Sequence, residues 1–214
     1  HLRYDLDAGR FVDRPGLCRR AEDLRKLVGP EAYYQAFKDD EVAHLYALRE
    51  GGEAPVDRLE ALAEAFGLRV DLRDPARRRA DAERLHWTYG MRASQHILDE
   101  LRPWAKANGR KLMVMLTYDV PPVRKYLQTH ERFDQEMVDY LRRHGVTHVD
   151  SLPMIDEEYR QFRLSVDEFL ARFYIARAGA QVFGHWSPHG CFWFAFAIRQ
   201  AMVDWLDPKP PAYR

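Results

Sequence analysis

Leu112-Met113-Val114-Met115-Leu116 is a run of five apolar residues with no polar break, closed by Lys111 on one side and by Thr117-Tyr118-Asp119 on the other. A strand with one wet face alternates apolar and polar residues, whereas an unbroken run of this length reads as a strand buried on both faces, as parallel strands are. Pro121-Pro122 ends it. Downstream, Phe133, Met137 and Leu141 share one face of a helix that stops at His144-Gly145, and Val146 to Asp150 reads as a second short strand. Strand, helix and strand make a βαβ unit, in which the two strands run parallel. Asp119 and Asp150 therefore fall at carboxyl ends of strands, where open α/β folds place their ligand sites.

Upstream, Leu85, Tyr89, Ala93, Ile97 and Leu101 recur every four residues and predict a long amphipathic helix from Ala76, disturbed at Pro103 and capped at Gly109. Leu2, Tyr4 and Leu6 alternate with polar residues, and Asp7-Ala8-Gly9-Arg10 supplies turn chemistry before Phe11-Val12, which predicts a small hairpin. Helical patterns between about Ala21 and Phe66 break at Gly29-Pro30 and at Gly51-Gly52. Downstream of the βαβ unit, Ser165 with Glu168 three residues on forms a capping box for a helix to about Ala178, which Gly179 breaks. A loop from Val182 to Gly190 leads into a last helix whose first half, Cys191 to Ile198, is apolar nearly all round and is expected to be buried. Asp207-Pro208-Lys209-Pro210-Pro211 stops it. The expected organisation is a hairpin and helical insertion over residues 1–75 and an α/β domain over 76–214.

The 214 residues, 46% of them apolar, suffice for one substantial core. Equal numbers of basic and acidic residues, 33 each, remove the electrostatic case for a nucleic-acid partner or a polybasic membrane-surface protein. No apolar stretch approaches the roughly 20 residues of a spanning helix. Cys18 and Cys191 form no CxxC pair, so neither a disulfide framework nor a thiolate zinc site is implied. No cofactor motif is present. The chain opens at His1 in mid-pattern and reads as a C-terminal portion of something longer, so targeting signals, compartment and oligomeric state are not legible.

The densest chemistry lies in Gly184-His185-Trp186-Ser187-Pro188-His189-Gly190. This loop, opening an apolar C-terminal helix after strand, helix and strand, resembles the carboxyl-terminal half of the SGNH (GDSL-type) hydrolases over roughly Lys111 to Leu206. In that family the last sequence block carries the catalytic histidine just before the final helix, and a glycine opens that helix. The resemblance implies a flavodoxin-like three-layer α/β sandwich with a parallel sheet and a helical insertion. It also implies serine-dependent hydrolysis of an ester or acetyl group, with a small-molecule or carbohydrate ester as substrate. His185 matches the general base, Gly190 the helix-opening glycine, and Trp186 and Ser187, with Tyr118 and Asp119, fall where substrate would be lined. The family's acid stands two or three residues ahead of its histidine; here those positions hold Val182 and Phe183, so His185 either works as a dyad with a backbone carbonyl as its orienter or borrows an acid such as Asp150 from a strand end. None of Ser94, Ser151, Ser165 and Ser187 has the Gly-Asp-Ser setting of the family's nucleophile.

The chemistry explains the pattern: a serine hydroxyl attacks only when an imidazole takes its proton, and that imidazole needs an orienting acceptor. Two other readings fit the same residues. One is a degenerate domain of this type that binds a carbohydrate or acyl group, or a partner, without catalysis, motivated by the missing acid. The other is an unrelated α/β binding module with a structural loop. His185 and His189 stand four apart, a metal-ligand spacing on a helix, but Pro188 between them argues against a helix there and no third ligand accompanies them.

Overall fold

Asp5, with its carboxylate accepting the amides of Asp7 and Ala8 at 3.0 Å each, starts the turn of the N-terminal hairpin in the computed structural model, which describes residues 2–16, 18, 20–176 and 182–207. Strands β1 (Leu2–Asp5) and β2 (Arg10–Asp13) pair antiparallel as expected, with Tyr4 opposite Phe11. A 3₁₀ helix (Ala21–Leu27) leads to α1 (Pro30–Phe37), α2 (Glu41–Arg49) and α3 (Asp57–Ala65). Asp40 begins α2 by accepting the amides of Val42 and Ala43, satisfying donors that the first helical turn leaves unpaired. Helix α4 (Arg78–Ala107) follows.

The chain divides into two units, residues 1–101 and 102–214, each with its own core. In the first, Leu45 and Leu48 of α2, Leu59 and Leu62 of α3, Leu72, and Leu85 and Tyr89 of α4 are buried around Phe11 of the hairpin. Phe11 meets Tyr4 and Tyr89 edge-on at 5.1 and 5.3 Å between ring centres. Each fully buried leucine contributes about 1.5–3 kcal/mol, so this core rather than helix propensity holds the short helices. Helix α4 continues through Pro103 to Ala107 and ends where Gly109 takes φ +60°, the left-handed conformation that glycine adopts without steric cost.

In the second unit, β3 (Val114–Leu116) and β4 (His148–Asp150) pair in parallel, with Val114 opposite His148 and Leu116 opposite Asp150. Between them run α5 (Val120–Thr129) and α6 (Gln135–Arg143). Gly145, at φ +62°, ends the turn after α6. The chain continues through α7 (Ser151–Tyr159), α8 (Val166–Phe173), β5 (Tyr174–Ala176), β6 (Val182–Trp186) and α9 (Pro188–Leu206). The capping box at α8 is present, Ser165 accepting the Glu168 amide and Glu168 accepting the Ser165 amide. The core gathers Val123 and Leu127 of α5, Leu152 and Ile155 of α7, and Phe169, Leu170 and Phe173 of α8. The helix expected to about Ala178 ends at Phe173, where the chain turns into strand Tyr174–Ala176; Gly179 and Pro208–Pro211 lie outside the described residues.

The flavodoxin-like three-layer α/β sandwich is overturned. The described residues are mostly helical, and their strands form three separate two-stranded sheets: β1 with β2, β3 with β4, and β5 with β6 antiparallel. Among the described residues no extended parallel sheet exists for helices to cover. The unbroken apolar run did give a parallel strand, but of three residues and not buried on both faces, since Met115 at its centre is 48% exposed. The βαβ reading held locally, and its extrapolation to a layered sheet failed because one strand pair cannot fix what lies beyond its edges. The last helix is also not buried as expected: within α9 only Gly190 is, while Phe192 and Phe196 are 73% and 64% exposed.

Candidate functional site

The carboxyl ends of β3 and β4 carry a buried polar cluster. Tyr118, two residues beyond β3, is buried, and its hydroxyl donates to Asp134 Oδ2 at 2.6 Å and lies 3.4 Å from Asp150 Oδ1. Arg132, in the turn between α5 and α6, donates from Nε to Asp134 Oδ1 at 2.8 Å and from Nη1 to Asp150 Oδ2 at 2.6 Å. Its Nη2 reaches Asp134 Oδ2 at 3.0 Å and the Tyr118 oxygen at 2.8 Å. One guanidinium thus ties the ends of both strands to the turn between the helices, with its side chain only 10% exposed. Burial pushes the Tyr118 phenol well above its ordinary range, and Asp134 accepting its proton adds to this. For Arg132, burial opposes the charge, but the bonds to Asp134 and Asp150 outweigh it and hold the guanidinium protonated.

Asp150 is fully engaged. Besides Arg132 it caps α7, accepting the Leu152 amide at 3.2 Å, and none of its hydrogen bonds goes to His185. Ser151 follows inside the first turn of α7, fully buried, its hydroxyl without a hydrogen-bond partner among the described residues. Of the other serines, Ser94 bonds to the Gly90 carbonyl within α4 and Ser165 to Glu168 at the start of α8.

Asp119 stands at the N-cap position of α5 without capping it. A capping carboxylate accepts amides two or three residues on, and those are Pro121 and Pro122, which have no N–H. The exposed side chain lies instead against β6, where a Cβ built on Gly184 would sit 3.0 Å from Asp119 Cβ. A side chain at Gly184 would therefore press on Asp119 by a few tenths of an ångström.

His185, next along β6, is exposed. Successive strand residues face opposite ways, so Gly184 and Trp186 share the inward face and His185 turns outward. Trp186 stacks on Tyr174 at 4.9 Å and on Trp193 at 5.9 Å. Ser187 caps α9, accepting the Gly190 amide at 3.1 Å while its hydroxyl donates to the Arg172 carbonyl at 2.8 Å. The expected loop is thus strand up to Trp186 and helix from Pro188.

The structure brings Tyr118 together with Asp150 and brings Asp119 against the strand of His185; Trp186 and Ser187 are built into the junction between β6 and α9. Arg132 and Asp134 were not singled out from sequence. Their only signal there is an opposite-charge pair two residues apart, in a turn that the βαβ reading returns to the strand ends. Among the described residues no group of three or more histidine, cysteine or acidic side chains could hold a metal ion. No helix is long and apolar enough to cross a membrane among the described residues. Compared with known proteins, the chain matches no family model, no curated protein and no solved structure.

Proposed function

We propose that the chain supplies the general base of a serine-type ester hydrolase, with His185 taking the proton of a nucleophile and later returning it to the leaving group. The observation that carries this reading is an exposed imidazole on β6 with a packed contact on either side of it: Gly184 against Asp119 just ahead, and the Ser187 cap with Gly190 just behind. A base must be both accessible and held. The nucleophile is not one of the serines of this chain, since Ser94, Ser165 and Ser187 are committed to helix backbone or caps and Ser151 is enclosed. Substrate is an ester or acetyl group on a small molecule or carbohydrate.

The second reading, a domain that binds a carbohydrate or acyl group without catalysis, is favoured by the commitment of Asp150 to Arg132, which leaves that acid with no hydrogen bond to His185. One experiment separates the two. Protein expressed from the whole reading frame is assayed with p-nitrophenyl acetate as wild type and as His185→Ala, at matched folded concentration. The catalytic reading expects a loss of about a thousandfold or more. Equal rates remove His185 as the base, and inactivity of both forms across several acyl lengths favours the binding domain.

A further inference from the structure

A cavity of about 450 Å³ opens in the N-terminal unit between the hairpin and its neighbours, lined by Arg3, Arg14 and Arg58 together with Asp5 and Asp7. Behind the arginines stand two carboxylates at the start of α2. Glu41, buried, takes the Nε–H of Arg3 at 2.9 Å and that of Arg58 on the same oxygen, Oε1. Asp40 takes Nη1 of Arg14 at 2.9 Å.

The three guanidiniums and four carboxylates of this arrangement are paired unevenly. Two guanidiniums share one carboxylate, and among the described residues no other carboxylate pairs with Arg3 or Arg58. Both arginines are held through Nε, so the terminal nitrogens, the pair that forms a two-pronged grip on an oxyanion, are left over. Those of Arg3 make no hydrogen bond among the described residues; on Arg58, Nη2 reaches the Tyr4 carbonyl at 3.4 Å. Fixing a guanidinium through its inner nitrogen against a buried carboxylate removes much of the rotamer entropy that a ligand would otherwise have to overcome. The volume falls within the range of small-molecule sites.

We propose that this cavity binds a small oxyanion head group, a carboxylate or a phosphate, gripped by the terminal nitrogens of Arg3 and Arg58. Asp5 and Asp7 in the same lining set the class of ligand: they repel a chain of anionic charges and leave room for one head group on an otherwise neutral molecule. The inference does not depend on the hydrolase reading and concerns different residues.

The test titrates the protein with sodium acetate and, separately, with inorganic phosphate at constant ionic strength, following arginine Nε–H resonances. Saturable shifts at Arg3 and Arg58 are expected, with a dissociation constant on the order of 1 mM, and no shift at the exposed Arg79, which lies outside the cavity. The tighter anion of the two identifies the head group. Arg58→Lys keeps a charge for Glu41 but lacks the fork, and is expected to weaken binding about tenfold. Asp7→Asn leaves every arginine pairing in place and is expected to tighten binding about twofold. No saturable shift with either anion up to about 50 mM, equal affinities in wild type and both variants, or parallel shifts at Arg79 would each overturn the proposal.

Discussion

The carbonyl oxygen of Phe173 occupies the space a side chain at Gly190 would need: a Cβ there would lie 2.0 Å from that oxygen and 2.7 Å from the Trp186 ring. The same carbonyl accepts the Ser187 amide at 2.8 Å, so it cannot move without losing the start of α9. Gly190→Ala is expected to cost about 3 kcal/mol or more, above ordinary overpacking because the obstacle is backbone. Gly90→Ala is the control. Gly90 lies inside α4 with nothing within 4 Å of its Cβ position, and its replacement is expected to stabilise by about 0.5–1 kcal/mol. Urea unfolding of both variants checks the opposite signs.

Arg132→Met should be among the most damaging single changes in the second unit. It removes the one cation that is bonded to Asp134 and Asp150 among the described residues, leaving two carboxylates in a largely buried cluster. Breaking such a pair from one side costs about 3–5 kcal/mol. Adding Asp134→Asn to the variant should recover part of that loss, and a double-mutant cycle by chemical denaturation measures the recovery. A fully additive result would mean that the two residues do not interact.

Alkaline stability reports on Tyr118. Its phenol titrates higher in the folded protein than in the unfolded chain, because of burial and the bond to Asp134. Above about pH 10 the unfolded chain therefore releases a proton that the folded chain retains, and stability falls as pH rises. The loss is at most about 1.4 kcal/mol per pH unit for this group. Below about pH 10 the contribution is complete. Tyr118→Phe should be less stable near neutrality by about 1 kcal/mol, yet show a shallower alkaline decline; identical slopes for the two proteins would refute the assignment.

His86 behaves in the opposite direction. Burial lowers the pKa of its imidazole, the Arg49 charge adds to this, and Arg49 Nη1 lies 2.9 Å from Nδ1. Arginine can only donate, so Nδ1 accepts and the ring is neutral. The stability this arrangement contributes is present above the unfolded value of about 6.5 and is lost as pH falls through the lower folded value. Arg49→Met should raise the His86 titration midpoint in an NMR pH series, and a lowered midpoint would contradict the contact.

Where the sequence was legible, a local rule had no competitor. The run Leu112 to Leu116 did not alternate, and β3 pairs in parallel with β4. Ser165 and Glu168 form their box, and Gly109 and Gly145 take the left-handed turns their positions imply. The layered sheet failed for a different reason: periodicity says which residues want cover but not what covers them. In α9, Trp193 joins the Trp186 stack while Phe192 and Phe196 face outward, a division that composition alone cannot make. Arg132 and Asp134 were missed because charged residues in a turn read as solvated, and only the return of that turn to two strand ends encloses them.

The proline pair at the start of α5 has a further consequence. Helix beginnings hold phosphate because several free amides point outward together, and the turn after a parallel strand is where α/β proteins use them. Here Pro121 and Pro122 remove two of those donors, and the Asp119 carboxylate lies beside the same turn. A phosphorylated compound approaching the end of β3 would meet a negative charge and a depleted set of amides. The start of α5 therefore lacks the phosphate-binding donors that helix beginnings usually offer.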